Sequence, residues 1–367
     1  METIRFDDFI RLNRGFDLPD YKIEKGEYPV ITSTNIKAFH KEYKVEGPMV
    51  VTGRSGSLGK VQYIEGRCWP LNTSLYVKDY KGNFPRYVYY FLQMMHLEQY
   101  NAGAGVPTLN QNHLHSLKIK IHEKKLQQKI ASILSSYDRL IENNTRRIRL
   151  LEQMAENLYK EWFVRFRFPE HEKVEMINGL PKGWNKEELG NIADVCMGSS
   201  PKSEYYNDEK KGLPFHQGVG SFGERFVLDN TYSTSYSQIA NPMSILFSVR
   251  APVGRLNYTR NRIAIGRGVA AINHKEGMQS LLFYTLKAKF FKEDIVGNGA
   301  IFSSITKKEL LKLKLIVPIK ELRVVFNNKI NKIDREIDIL YKQNQLLTHQ
   351  RDLLLPRLMS GKLEVKS

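Results

Sequence analysis

IASILSSYDRLIENNTRRIRLLEQMAENLYKEW, residues 130–162, places its seam positions at alternating intervals of four and three: Ile130, Leu134, Tyr137, Ile141, Asn144, Ile148, Leu151, Ala155, Leu158 and Trp162. A mean spacing of about 3.5, held over this length, marks a coiled-coil seam rather than the face of a globular helix. The rhythm returns in FNNKINKIDREIDILYKQNQLLTHQRDLLLPRL, residues 326–358, at Phe326, Ile330, Ile333, Ile337, Leu340, Asn344, Leu347, Arg351, Leu354 and Leu358. Pro356 is expected to break the last turn of this second helix. Each helix should hold about 35 residues and extend roughly 50 Å.

The two helices belong to a larger repeat. Asp138-Arg139 recurs as Asp334-Arg335, 196 positions later, and LHSLKIK at 114–120 lies opposite LLKLKLI at 310–316 with the same offset. Arg54 and Arg250 are also 196 apart, Gly103-Ala104-Gly105 pairs with Gly297-Asn298-Gly299, and IRFDDFIRLNRG aligns with EELGNIADVCMG at an offset of 183. Two copies of one module, each a mixed domain followed by a long helix, account for nearly the whole chain.

An internal two-fold constrains how the seams meet, because antiparallel partners must then have numbers with a constant sum. A sum of 488 pairs Ile148 with Leu340, Ile141 with Leu347, Leu134 with Leu354, Leu151 with Ile337 and Trp162 with Phe326. It also places Asn144 opposite Asn344, so that two amides can hydrogen-bond each other rather than face leucine. Tyr137 opposite Arg351 is the least natural pair and is expected near a frayed end. The remaining stretches are glycine-punctuated and rich in Tyr, Val and Ile, with strand-like runs such as PMVVTG, GKVQYI and MSILFSV. The expected fold is therefore α/β (α+β): two mixed, strand-rich domains separated by two long antiparallel coiled-coil helices. The boundaries are 1–121 for the first domain, 122–168 for the central helix, 169–184 for a linker, 185–318 for the second domain, 319–359 for the distal helix and 360–367 for the tail.

Among the 367 residues, 56 Lys and Arg face 39 Asp and Glu, a formal charge of +17 that favours a polyanionic partner. Two cysteines, Cys68 and Cys196, form no CxxC pair, which argues against a disulfide framework or a thiolate zinc site and for a reduced, intracellular setting. No signal-peptide pattern or long apolar run suggests export or a membrane span.

Catalytic motifs fail on spacing. Gly53-Arg54-Ser55-Gly56-Ser57-Leu58-Gly59-Lys60 resembles a P-loop, but one residue too many separates its glycines, Val61 stands where a magnesium-binding hydroxyl belongs, and its flanks read as strands. Asn241-Pro242-Met243-Ser244 is better read as a strand-entry turn than as a methyltransferase motif, and Pro169–Lys173 as solvated linker. His113-x-His115 lacks further metal ligands at supporting spacing. No catalytic or metal-binding residue is nominated.

What remains is a binding surface. Leu246–Arg267 holds Arg250, Arg255, Arg260, Arg262 and Arg267 and no acid, and guanidinium forks suit both phosphate oxygens and the guanine edge. In the first module the matching set is Arg54, Ser55, Lys60 and Arg67, with Arg14 nearby. Asn110, Gln111, Asn112, His113 and Gln217 are candidate base readers, or turn caps.

Leu150-Leu151-Glu152 through Trp162-Phe163-Val164-Arg165-Phe166, Asn178-Gly179-Leu180-Pro181-Lys182-Gly183-Trp184 and the ending Leu353–Leu363 together resemble the conserved regions of the specificity subunit of type I restriction-modification enzymes, and the resemblance spans essentially the full length. It implies two target recognition domains, each reading one half of an asymmetric, split sequence in double-stranded DNA. It implies no catalysis and no cofactor in this chain. Two modification subunits would dock on the helices with S-adenosylmethionine, restriction subunits would bring ATP and Mg, and the complex would be cytoplasmic, with no membrane association. The specificity chain of a type II-like system, or a basic coiled-coil adaptor or RNA-binding protein, are the competing readings.

Overall fold

In the computed structural model of the chain, the described residues are 1–290 and 304–365. They form two compact units, Met1–Arg146 with Tyr341–Ser367, and Arg147–Leu340. The expected Gly297-Asn298-Gly299 match lies outside the described residues.

In the first unit, Met49–Gly53 is buried along its whole length, as expected for a short β-branched run without alternation. It pairs antiparallel with Val61–Ile64 on one side and Ser74–Asp79 on the other, and Arg11–Arg14 completes a four-stranded sheet. A second sheet joins Ile36–His40 to Lys25–Ile31, which runs parallel to Trp69–Pro70. Glu2–Arg5 pairs antiparallel with Lys118–Ile121. Phe6, Phe9, Tyr87, Phe91 and Leu114 form a core that also takes in Ile130, Ala131 and Leu134 of the first long helix and Leu358 and Met359 of the second.

The second unit repeats this topology. Ala193–Met197, Val269–His274, Ile245–Ser248 and Leu256–Tyr258 form its four-stranded antiparallel sheet. Leu213–His216 runs parallel to Ile263–Ile265 in the second sheet, as Lys25–Ile31 does to Trp69–Pro70. Asn185–Glu188 pairs with Lys314–Val317. Equivalent hydrogen bonds recur: the Phe6 N–H donates to Leu117 O at 2.8 Å, and the Leu189 N–H to Leu313 O at 2.9 Å. These partners differ by 183 and 196 positions, the two offsets expected from sequence.

The long helices are Lys124–Tyr159, followed by a π turn at Lys160–Val164, and Lys320–Met359. The second continues through Pro356, contrary to the expected break. Proline sacrifices one backbone bond, but Leu358 and Met359 beyond it are 2% and 1% exposed, and burying them in the core outweighs that loss.

Within the second unit Trp162 packs on Phe326 with ring centroids 5.6 Å apart, and Ile148, Ile337 and Leu340 are buried while Leu151 is half-buried. Within the first unit Leu354 packs on the core cluster containing Leu134, and Ile141 and Leu347 are half-buried. Asn144 and Asn344 do not bond to each other. The Asn144 amide donates to Gln343 Oε1 at 3.4 Å, and the Asn344 amide to Thr145 Oγ1 at 3.1 Å and to the Ile141 carbonyl at 3.4 Å. Each amide has slipped onto the partner's flanking turn, where acceptors are available. Nor is Arg351 frayed, since its guanidinium holds Asp138 at 2.7 Å.

Residues 169–184 are more ordered than the word linker suggests. Asn178 and Gly179, with φ of 51° and 76°, make the tight turn of a small hairpin between Met176–Ile177 and Leu180–Pro181. Trp184 is buried among Phe163, Phe166 and Phe168. No helix among the described residues is long and apolar enough to cross a membrane.

Candidate nucleic-acid interface

The arginine-rich segment of the second unit is divided by its strands into two ends. Ile245–Ser248 and Leu256–Tyr258 are joined by a loop that carries Arg250 and Arg255, both exposed. At the same end, Gly266-Arg267-Gly268 connects Ile263–Ile265 to Val269–His274, with Arg267 exposed between its glycines. The Val249 N–H donates to the Gly268 carbonyl at 2.9 Å, which brings the two loops together.

Gln217 completes this end. The Gly266 N–H donates to His216 O at 2.9 Å, the Arg267 N–H to Ser200 Oγ at 3.0 Å, and Ser200 Oγ to Gln217 Oε1 at 3.4 Å. The packing explains the glycines: a Cβ on Gly268 would stand 2.0 Å from Gln217 O, and one on Gly266 2.5 Å from Gln217 Cβ. Beneath Gln217, buried His216 contacts Ser221 Oγ at 2.9 Å through Nδ1 and Asp229 at 3.0 Å through Nε2, pinning both ends of the intervening loop. Burial pushes the Asp229 carboxyl up, but hydrogen bonds from His216 and Asn261 outweigh it and hold the pKa below the ordinary value.

Arg260 and Arg262 lie at the other end of the Ile263–Ile265 strand. Arg262 is exposed there, whereas Arg260 is 3.0 Å from Asp338 of the second long helix and stacks over Phe226 at 5.1 Å. Arg260 is thus engaged within its own unit, unlike the exposed arginines at the first end.

The first unit has the same two ends with different side chains. The Arg54 N–H donates to Thr73 O and the Leu109 N–H to Arg54 O, each at 2.8 Å; in the second unit the Val249 N–H donates to Gly268 O and the Ile305 N–H to Val249 O, each at 2.9 Å. Ser55 bridges Thr108 as Arg250 bridges Ser304. The structural counterpart of Arg250 is therefore Ser55, and that of Arg54 is Val249. Matching the two arginines at an offset of 196 slipped the register by one residue, which in an extended chain exchanges the two faces. Arg54 accordingly is half-buried, with Nη1 3.4 Å from Asn72 O.

Lys60 is exposed beyond the same loop, and Arg14 is exposed 3.7 Å from Asp17. Arg67 lies at the opposite end, paired with Glu46 at 3.0 Å and stacked on Tyr43 at 4.7 Å. Asn110 caps the helix Gln111–Ser116, its side chain accepting from the Asn112 N–H at 2.9 Å, so its role here is a cap. Gln111 is half-buried and Asn112 and His113 are exposed; His113 leans edge-on toward Tyr100 at 6.2 Å. His115 is structural, with Nε2 accepting from the Leu12 N–H at 3.0 Å.

The catalytic look-alikes read as ordinary structure. Gly53–Lys60 connects two antiparallel strands, with Gly56 and Gly59 both at φ 85°. Asn241–Ser244 is a turn, closed by the Ser244 N–H on Asn241 O at 3.1 Å. Burial lifts the Cys68 thiol to about 12, far from a reactive thiolate. Among the described residues no group of three or more His, Cys, Asp or Glu converges as a metal site. Sequence reasoning missed Ser200 and the Gly266–Gly268 turn, whose signal was the pair of glycines around Arg267. It also missed Arg225, buried against Asp334, Glu152 and Tyr284, which had no local signal.

Comparison with known proteins agrees with this architecture. The type I restriction modification DNA specificity domain matches residues 1–153 and 181–349. The MjaX type I restriction enzyme specificity subunit of Methanocaldococcus jannaschii is 32% identical over 84% of this chain and 76% of its own length. The MjaIX specificity subunit of the same organism is 26% identical over 95% of this chain and 86% of its own length. The fold is also that of the crystal structure of a type I restriction-modification S subunit from M. genitalium, with a TM-score of 0.64 at 18% identity, covering 100% of this chain and 96% of that one. A module written twice, its repeated strand ends carrying unlike polar loops, thus coincides with a domain profile that matches twice: this chain belongs to the type I restriction modification DNA specificity family.

Proposed function

We propose that the chain is the DNA-sequence-specificity subunit of a type I restriction-modification enzyme and performs no chemistry itself. Residues 1–121 and 185–318 are its two target recognition domains, each reading one half of a bipartite target in double-stranded DNA. The observation that carries this reading is the convergence of Arg250, Arg255, Arg267 and Gln217 at one strand end of the second unit, on a backbone that recurs in the first. Arginine there can contact phosphates or a guanine edge, and Gln217 can pair with adenine. Counterpart positions hold different residues: Ser55 for Arg250, Asn72 for Arg267 and Thr32 for Gln217. Unlike readers on like scaffolds call for unlike half-sites, hence a non-palindromic sequence.

In this reading two modification subunits dock on the helices and supply S-adenosylmethionine chemistry, restriction subunits supply ATP- and Mg-dependent cleavage, and the complex works in the cytoplasm. The test is co-expression with the cognate modification subunit, followed by mapping of methylated adenines. A two-part asymmetric motif is expected, and exchanging residues 185–318 for another such domain should alter one half of it. A motif without two parts, or a change in both halves, would overturn the proposal.

A further inference from the structure

The two copies neutralise equivalent helix carboxylates, Asp138 half-buried and Asp334 buried, in different ways. In the first unit Asp138 is held by Arg351 of the second long helix at 2.7 Å and accepts a hydrogen bond from Tyr90 of the domain. Its counterpart in the second unit is Asp334, 7% exposed. By the helix offset of 196, the counterpart of Arg351 is Ala155, which is fully buried and carries no charge. The cation comes instead from the domain. Arg225 bonds Asp334 through one nitrogen, and through another reaches Glu152 at 3.2 Å and Tyr284 at 3.3 Å. Its guanidinium also lies 5.1 Å from the ring centroids of both Tyr258 and Phe283. Glu152 is three residues before Ala155 and so shares its helix face. The guanidinium therefore lies beside the position from which its helical equivalent would project.

We propose that Arg225 is a positioning residue that matches the second domain to its stretch of the helix pair, supplying from the domain the charge that Arg351 supplies from the helix in the first unit. Asp334 also accepts from the Ser280 hydroxyl of its own domain, so a domain placed there without a cation would leave a buried carboxylate with a hydroxyl but no counter-charge, whereas one placed on Asp138 has only to offer a hydroxyl such as that of Tyr90. Domain exchange is thus unequal at the two positions. That consequence rests on reading the domains as exchangeable recognition modules; the chemistry of the pair does not.

The test is thermal unfolding of the full chain carrying Arg225→Met, Ala155→Arg with Arg225→Met, and Asp334→Asn with Arg225→Met. Arg225→Met should lower the midpoint by about 10 °C, the loss expected when a buried ion pair is broken on one side. Ala155→Arg should recover at least half of the loss by restoring the helical arrangement, and Asp334→Asn should recover part by removing the charge. If Arg225→Met yields no folded chain, return of soluble protein in the double variants is the supporting result. An unchanged midpoint for Arg225→Met, or no recovery with Ala155→Arg, overturns the proposal. Because the readout involves no DNA, it stands or falls separately from the recognition reading.

Discussion

Arg250 and Arg260 lie in one arginine-rich segment and should fail in opposite ways when cut to alanine. Arg250 is exposed at the end of its strand. If it makes a bidentate base contact, Arg250→Ala costs about 1–3 kcal/mol, or roughly 5- to 150-fold in affinity for the cognate site, with the unfolding midpoint unchanged. If it contacts a phosphate, the loss is similar on all sequences and the salt dependence of log affinity flattens by about 0.9. Arg260 has a side chain 16% exposed, against Asp338 at 25%, and also stacks on Phe226. Removing it forfeits a charge-assisted bond of about 1.5–3 kcal/mol and a stack of about 0.5–1 kcal/mol. At about 2–4 °C per kcal/mol, the midpoint should fall by about 4–16 °C. The assay is DNA binding by the assembled methyltransferase on cognate and scrambled duplexes across a salt series, with a thermal melt of each variant. Arg167→Ala, an exposed arginine near Glu161, serves as the control and should change neither measurement. Unchanged affinity and salt slope for Arg250→Ala, or a DNA-specific loss for Arg260→Ala, would refute the assignment of the two ends.

Trp162→Ala removes a side chain 6% exposed and packed on Phe326, and should cost about 3–5 kcal/mol, read as a lower midpoint in a thermal melt. Asn344→Leu removes an Oδ1 buried without a partner but also forfeits the amide's bonds to Thr145 Oγ1 and the Ile141 carbonyl; with each effect worth about 1 kcal/mol they offset, so the midpoint should move by less than about 4 °C in a thermal melt, and a larger fall would show that the amide's bonds dominate. Acidification should weaken the fold through His115 and His274. Burial lowers both pKa values despite nearby acids, and each ring accepts a backbone N–H that a protonated nitrogen could not. The unfolded chain thus binds more protons than the folded one, so stability present at neutral pH should be lost as pH falls through about 6.5, and His115→Gln should flatten that slope in melts across pH 5–8.

The helices and the repeat were legible because a seam of period 3.5 needs no tertiary information, and because Asp138-Arg139 and Asp334-Arg335 mark equivalent turns. The seam's polar contacts were less so: the spacing locates Asn144 and Asn344, but which acceptor each amide finds depends on Gln343 and Thr145, whose reach follows from the packed geometry. Arg260 could not be told from Arg250 by composition, as its acid, Asp338, lies 78 positions away. Asn178-Gly179 did carry a hairpin signal, whereas Pro181 and Gly183 beside it favoured an unstructured reading.

The one-residue slip between Arg54 and Arg250 bears on how such domains should be re-engineered. A change found useful at one arginine has no reason to work at the other, for Arg54 occupies the place of an apolar valine and Ser55 the place of Arg250. The transferable coordinate is the backbone socket, defined by which residue donates to the carbonyl of Thr73 or Gly268 and also accepts from the N–H of Leu109 or Ile305. Numbered by sockets rather than by residue identity, the two domains become two settings of one dial, with positions 55 and 250 as its equivalent stops.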